Sequence, residues 1–363
     1  MSGIATAHQL QKQGFVVALI DQIRIIEWTT GGTTAKLTSQ HYLIYDYLIN
    51  RHGEDAARAY AQANENGIDD IERLSQDLGI DCEFARRNAY VFTEREDTLD
   101  TIKTEVLAAK RLGLPASFET ELDVPFNVKG ALKFAHQAQF HPRKFLLGLA
   151  DEFIKEGGVI YENTEATDIT IGKPHTVITK HVVQATNKLF WHGNVVKNHI
   201  WRKVTLALAV KLKNNTDYPR DMYITTDEPA RTIRTAHDNG NRVLVFGGES
   251  HEFDESKQEE DTKTAHQILI DDVRNRYDVD KILYRWMADD YMPYDRMPYI
   301  GPHPDCPTVY VMTGYRAWGL AWTMTGAHMI ASYINEAPLD WATYFSLDRL
   351  KQPVRVSDKN TNL

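Results

Sequence analysis

The sequence predicts an α/β fold with an antiparallel block in its second half, and three observations carry that prediction. A helical pattern over residues 4–13, with Ile4, Ala7 and Leu10 on one face and Gly14 as its stop, runs straight into the apolar run 16–20. The pairing of helix and strand recurs at 142–161, where Pro142 opens the helix, Gly157 closes it and Val159-Ile160-Tyr161 follows. Between Lys203 and Glu249 the texture changes to strands such as 205–210 and 243–246, the second preceded by the turn signal Asp238-Asn239-Gly240.

Taken in order, the run 16–20 ends at Asp21 and is apolar throughout, as expected of a parallel strand buried on both faces. The helix before it then reads as a crossover. Residues 29–40, rich in Thr and Gly, are too long for a simple turn and form a candidate ligand loop. An Ala-rich, acid-rich helix covers 55–78. After the second pairing, 176–184 reads as a short hairpin strand, and the antiparallel block is expected to be half exposed. Acidic 252–272 leads into a further helix. A late apolar strand at 309–312 enters a Gly/Trp loop and a final helix over 323–334.

The 363 residues suit two domains or one large one, and 42% hydrophobic with 25% charged residues excludes disorder, collagen and low complexity. With 50 acidic against 41 basic residues the net charge is -9, and no Lys/Arg stripe offers itself to phosphates, so no nucleic-acid partner is expected. Cys82 and Cys306 stand far apart with no CxxC, which argues against a disulfide framework or structural zinc and fits a reducing compartment. No leader pattern and no membrane-length apolar run is present, and the chain reads as cytoplasmic; peripheral contact with a membrane and the oligomeric state are left open. His136, His141, His175, His181 and His192 lack a metal-helix spacing such as HExxH, so no metal site is expected. The acidic stretch 249–261 reads as a solvated face, and His41 as a loop histidine in solvent.

The strongest local signal lies at the start. Gly3 opens a helix, Gly14 closes it, and an acidic residue, Asp21, ends the next strand eighteen positions after Gly3. In a dinucleotide fold the last fingerprint glycine lets helix and strand pack closely, and the acid accepts hydrogen bonds from the adenosine ribose.

These residues resemble a known family. Gly3-Ile4-Ala5-Thr6-Ala7-His8-Gln9-Leu10 with Gly14 and Asp21 is similar to the segment after the first strand in FAD-dependent oxidoreductases of the D-amino-acid oxidase, glycine oxidase and sarcosine oxidase family. The loop 29–38, Thr-Thr-Gly-Gly-Thr-Thr-Ala-Lys-Leu-Thr, resembles the flavin-contacting loop of a bacterial subgroup often fused to a C-terminal Rieske domain. Val182-Val183-Gln184-Ala185-Thr186-Asn187, Asp295-Arg296-Met297-Pro298-Tyr299-Ile300-Gly301 and Thr313-Gly314-Tyr315-Arg316-Ala317-Trp318-Gly319-Leu320 match later family motifs in the same order.

The resemblance implies a Rossmann-like FAD-binding domain, first strand missing, with an antiparallel-sheet substrate domain. The former would be assembled from 1–80, 141–200 and 286–363, the latter from 81–140 and 201–285. Gly3, Asp21, Arg24, Thr33, Thr34, Lys36, Ala185, Thr186, Gly301, Gly314, Gly319 and Leu320 are implied to bind FAD, with Trp318 and Arg316 at the reacting end. Glycines at 314 and 319 would let backbone N–H groups approach the flavin ring. Lys36 and the threonine hydroxyls would offset negative charge near the pyrophosphate or flavin. The implied reaction is oxidation of a C–N bond in a small amine or amino acid by hydride transfer to FAD.

Three departures are expected to matter. The chain begins two residues before the third fingerprint glycine, so the first strand and two glycines are expected to be absent; no Cys-x-His pair marks a Rieske domain. Where amino-acid oxidases of the family show Trp-x-Gly-x-Arg-Pro, this chain has Trp286-Met287-Ala288-Asp289-Asp290-Tyr291. Aspartate at 290 cannot hold a carboxylate, so cationic or carboxylate-free amines are expected as substrates unless Arg231, Arg234 or Arg316 supplies the charge. The alternative reading is a noncatalytic remnant that does not retain FAD. A nicotinamide dehydrogenase is disfavoured, because that chemistry has no use for the late glycine loop.

Overall fold

The structure, a computed structural model, describes residues 1–170, 177–254 and 259–354. Helix α1 (Ser2–Lys12) leads into β1 (Ala18–Ile20), then β2 (Lys36–Leu37), α2 (Tyr45–His52), α3 (Glu54–Asp77), β3 (Ala85–Thr93), α4 (Leu99–Arg111), β4 (Ala116–Glu119) and β5 (Gly130–Gln139). The second half comprises α5 (Pro142–Lys155), β6 (Val159–Tyr161), β7 (Val182–Gln184), β8 (Ile200–Leu212), β9 (Met222–Thr225), β10 (Thr232–Asp238), β11 (Asn241–Glu252), α6 (Glu259–Arg276), β12 (Val279–Pro293), β13 (Tyr299–His303), β14 (Cys306–Thr313) and α7 (Gly319–Ile334).

The described residues form three sheets. β1 pairs with β6 in parallel, as a crossover requires. The large sheet runs β12-β8-β11-β10-β9-β3-β5-β2, with β4 added on β5, and the small one runs β13-β14-β7. The α/β class and the antiparallel block are therefore present. The turn at 238–240 joins β10 to β11, with Asn239 at φ +48° and Gly240 at φ +80°, the left-handed pair that a tight hairpin needs. The boundary expected at residue 286 falls inside β12, and β2, from the first segment, joins the large sheet.

Four expectations are corrected. The run 16–20 is not buried on both faces: Val16 is fully exposed and β1 is exposed or half-buried along its length, because it pairs on one side only, with β6. β7 is not half of a hairpin; it lies parallel to β14, whose neighbour β13 closes the antiparallel edge, and the expected residue Thr176, like His175, lies outside the described residues. The β8 strand is buried on both faces between Val204 and Val210, except at Thr205. Its Leu206, Leu208 and Val210 pack with Leu269, Ile270 and Val273 of α6, while Trp286, opposite Ala207, donates to the Gly32 carbonyl at 2.8 Å. Finally, the acidic stretch is a solvated face only in part: Glu252 and Asp254 are exposed, whereas half-buried Glu249 pairs with buried Arg231 at 2.8 Å; residues 255–258 lie outside the description.

Candidate functional site

The N-terminus of α1 is where four distant segments meet. Met1 caps the helix without a side-chain hydrogen bond, and no acidic residue stands in its first turn. Its nitrogen donates to Thr30 Oγ1 at 3.4 Å, and Ser2 Oγ donates to the Tyr315 hydroxyl at 3.3 Å. A side chain on Gly3 would begin 3.7 Å from Ala185 Cβ and 3.8 Å from Leu19, so glycine here seats the helix over both β1 and the segment after β7. Asn187 reaches Thr29 Oγ1 at 3.5 Å, and Thr313 Oγ1 donates to the Asn187 carbonyl at 2.6 Å. Thr29 also donates to the Asp289 carbonyl, which ties the loop to β12.

Six further sequence-derived candidates fall in three groups. Asp21 follows β1, accepts from the Ile23 N–H at 3.1 Å and is half-exposed; Arg24 is exposed and faces Glu162 at 3.7 Å. Thr33 accepts from the Ala35 N–H, and Thr186 donates to the Lys188 carbonyl at 2.6 Å. Leu320 is buried beside Ile4, Ala5 and Ala321 in the core, and Gly301 sits inside β13.

Lys36, expected near the pyrophosphate or flavin, is buried among strands. Its ammonium donates to the Tyr223 carbonyl at 2.6 Å and to Thr232 Oγ1, joining β2 to β9 and β10. Burial, then the nearby Arg234 charge, drives its pKa well below the usual lysine range.

The loop before α7 carries three left-handed positions within four residues: Gly314 at φ +77°, Arg316 at +53° and Ala317 at +68°. A side chain at Gly314 would strike Pro293 Cγ at 2.6 Å. This geometry turns Arg316 inward. Its guanidinium is buried, and Nη1 has no hydrogen-bond partner. Burial lowers its pKa to about 10, so it is cationic at neutral pH.

The other two candidate arginines are satisfied. Arg231 binds Asp272 and Glu249, and Arg234 donates to the Thr34 and Thr235 carbonyls.

Trp318 stacks on His41 with ring centroids 4.8 Å apart and planes 12° from parallel. His41 is buried, which corrects the solvated-loop expectation. Its Nε2–H donates to the Thr38 carbonyl at 2.7 Å, so its Nδ1 accepts from the Tyr60 hydroxyl at 2.5 Å. Desolvation holds its pKa down to about 3, and it is neutral.

Sequence reasoning missed Lys203. It lies opposite Asp290 in the β8–β12 register and is buried; burial first, then Arg316, lowers its pKa to about 8. Desolvation raises Asp290 to about 6, against the pull of Lys203. Next to Arg202 and outside the apolar run 205–210, Lys203 carries no mark in the sequence that sets it apart. Two buried cations and one carboxylate thus share a region beside the loop that leads into α7, where the Arg316 N–H donates to the Tyr291 carbonyl at 3.2 Å.

Comparison with known proteins agrees with this architecture. Residues 1–333 match the FAD dependent oxidoreductase family, DAO. The chain is 32% identical over 359 residues to YhfW of Bacillus subtilis (strain 168), named as a Rieske 2Fe-2S iron-sulfur protein, covering 96% of this chain and 70% of that one. It is 23% identical to the gamma-glutamylputrescine oxidoreductase of Escherichia coli (strain K12), covering 92% of this chain and 81% of the relative. Glycine oxidase from Geobacillus kaustophilus has the same fold, with a TM-score of 0.76 at 17% identity over 95% of each chain. The chain belongs to the FAD dependent oxidoreductase family and is a flavin-dependent oxidoreductase of the D-amino-acid oxidase type. Among the described residues, no helix is long and apolar enough to cross a membrane.

Proposed function

We propose that this chain retains FAD and uses it to oxidise a C–N bond in a small substrate that carries both an amine and an acidic group. The observation that carries the reading is the buried Arg316 guanidinium with its free Nη1, beside Lys203 and Asp290. FAD fits the residues present. The uncapped first turn of α1 offers the orphan N–H groups of Ser2, Gly3 and Ile4 to a pyrophosphate, with the Thr29 to Thr34 loop folded over it. Asp21 and Arg24 would serve the adenosine end; Ala185, Thr186, Gly301, Gly314, Gly319 and Leu320 would flank the rest. Segments 1–80, 141–200 and 286–363 would supply most of this half of the molecule, and 81–140 with 201–285 most of the substrate half.

When bound, FAD supplies the two-electron oxidation by accepting hydride from the substrate carbon. The protein's own part is positioning. Arg316 and Lys203 hold the acidic group, Asp290 faces the ammonium, and the Trp318–His41 stack gives the pocket a rigid apolar wall. Support for amine or amino-acid substrates comes from the names of the relatives, glycine oxidase and gamma-glutamylputrescine oxidoreductase. Asp290 is the one observation favouring a second reading, a carboxylate-free amine.

Anaerobic flavin reduction by a panel of amines, amino acids and amines bearing a distant carboxylate tests the choice. Substrates with both groups are expected to reduce the flavin fastest. Arg316→Leu should weaken their apparent affinity by about 2 kcal/mol or more, as for loss of a buried charge-assisted bond, and Asp290→Asn should do so for every amine. Fast reduction by carboxylate-free amines alone, unchanged in Arg316→Leu, would replace the first reading with the second.

A further inference from the structure

Away from this site, the turn between β13 and β14 meets the segment after β7. Asp305 Oδ2 lies 3.2 Å from His192 Nδ1 and 3.9 Å from His303 Nδ1, and one ligand atom from each of the three residues falls within 4.8 Å of the others. It is the one such grouping of three His, Cys or carboxylate side chains among the described residues. His192 and Asp305 are 113 positions apart, so no sequence spacing announces it.

The three groups differ in freedom. The His303 side chain is wholly buried, its Nδ1 accepts from the Asp305 N–H at 3.1 Å, and its Nε2 has no partner. It is an anchored imidazole that lacks part of its hydrogen bonding. The His192 ring lies flat on Trp191, centroids 3.9 Å apart and planes 9° from parallel, and Trp191 also meets His303 edge-on at 5.1 Å. Asp305 and His192 are more than half exposed and free to adjust.

We propose that His192, His303 and Asp305 form a binding site for one borderline divalent cation, represented by zinc, which fastens the segment after β7 to the β13–β14 turn. Two imidazoles and a carboxylate are a donor set that such ions prefer over calcium or magnesium. Ligands at about 2.0–2.2 Å from a tetrahedral zinc stand about 3.3–3.6 Å apart, so the observed spacings close onto an ion by small rotations of the two exposed side chains. Water fills the fourth position. The ion requires neutral imidazoles and displaces no buried partner of His303 except the Asp305 N–H. Its effect is on order in the Thr186 to His192 segment, not on the chemistry at Arg316.

The test uses the full chain as purified, stripped with a chelator and titrated with zinc chloride by calorimetry, and with cupric ion by quenching of tryptophan fluorescence, since Trp191 touches both rings. One equivalent should bind, with quenching and a raised thermal midpoint. His192→Ala and Asp305→Asn should each weaken binding by about tenfold or more and abolish the midpoint shift, while His237→Ala on β10 should change nothing. His303 is left intact because its burial makes the fold depend on it. Absence of stoichiometric zinc binding by the wild type, or binding equally tight in His192→Ala and Asp305→Asn, overturns the proposal.

Discussion

Buried polar side chains divide in this chain into those that are satisfied and those that are not, and the second group is the informative one. Arg231 and Arg234 find partners for their donors, which makes them fasteners of the large sheet. Arg316 does not, and an unpaired buried donor costs about 1–3 kcal/mol, a strain that persists where a ligand relieves it. His8 is the structural counterexample: it is buried on α1, both ring nitrogens lack partners, and burial, then Lys12, lowers its pKa. As pH falls below about 6.5 the unfolded chain takes up a proton that the folded His8 refuses. The fold therefore loses up to about 1.4 kcal/mol per pH unit until the folded pKa is reached. His8→Leu, which fills the same space without polar atoms, should raise stability by about 1–2 kcal/mol at neutral pH, and by more at pH 5.5. Chemical denaturation at both pH values checks this; an equal or lower stability in the variant at pH 5.5 would contradict it. Much of the candidate site was legible, because Gly3, Gly314, Arg316 and Trp318 stand in contiguous motifs. Lys203 and the His192–His303–Asp305 group were not, since each depends on strand register or turn contact between segments remote in sequence.

Close approach between elements rests on particular small residues. Helices α3 and α7 cross where a Cβ on Gly67 would lie 1.9 Å from the Ala321 carbonyl oxygen, with Thr325 donating to the Ala63 carbonyl at 2.5 Å beside it. The obstacle is helix backbone, which cannot rotate away. Gly67→Ala should therefore push the helices apart and destabilise the chain by about 3 kcal/mol or more, beyond the usual overpacking cost, despite alanine's better helix propensity. A thermal midpoint equal to wild type would show that the crossing is softer than its geometry. Gly248 on β11 works similarly, leaving room for Arg231 Nη1 at 2.6 Å from where its Cβ would stand. Helices with a clear start or stop were legible, since Gly14, Gly157 and Pro142 hold to within two residues; α2 and α4 were not foreseen, α6 begins inside the acidic stretch at Glu259, and α7 begins at Gly319, ahead of the expected 323. Burial of strands was not. An apolar run such as 16–20 states what could be covered, and only the sheet's neighbours decide whether it is, so β1 stays partly exposed while Thr-containing β8 is enclosed by α6 and the Gly32 loop.

At the scale of the whole molecule, the proposed cofactor site is made from the start of α1, the loop after β1, the segment after β7 and the loop into α7. These belong to different sheets: β1 to the two-stranded one, β7 and β14 to the small one, and the residues against which the loops rest, Asp289 and Trp286, to the large one. Between the sheets, polar contacts are few, such as Asn187 to Thr29, Thr29 to the Asp289 carbonyl and Trp286 to the Gly32 carbonyl. A ligand touching all four segments would bind the folded chain and find no equivalent in the unfolded one, so its binding free energy adds to stability by mass action. At about a hundredfold excess over its Kd, FAD should contribute about 2.7 kcal/mol and raise the thermal midpoint by several degrees. AMP, which in the proposed site would engage only the adenosine end near Asp21, should do less. Arg316→Leu, remote from that end, should leave the AMP shift intact, whereas Gly3→Val, which would push α1 from Ala185 and Leu19, should reduce both shifts. Scanning fluorimetry across a ligand series measures all of these, and a midpoint indifferent to FAD at saturating concentration would leave the chain as a family member that does not retain its cofactor.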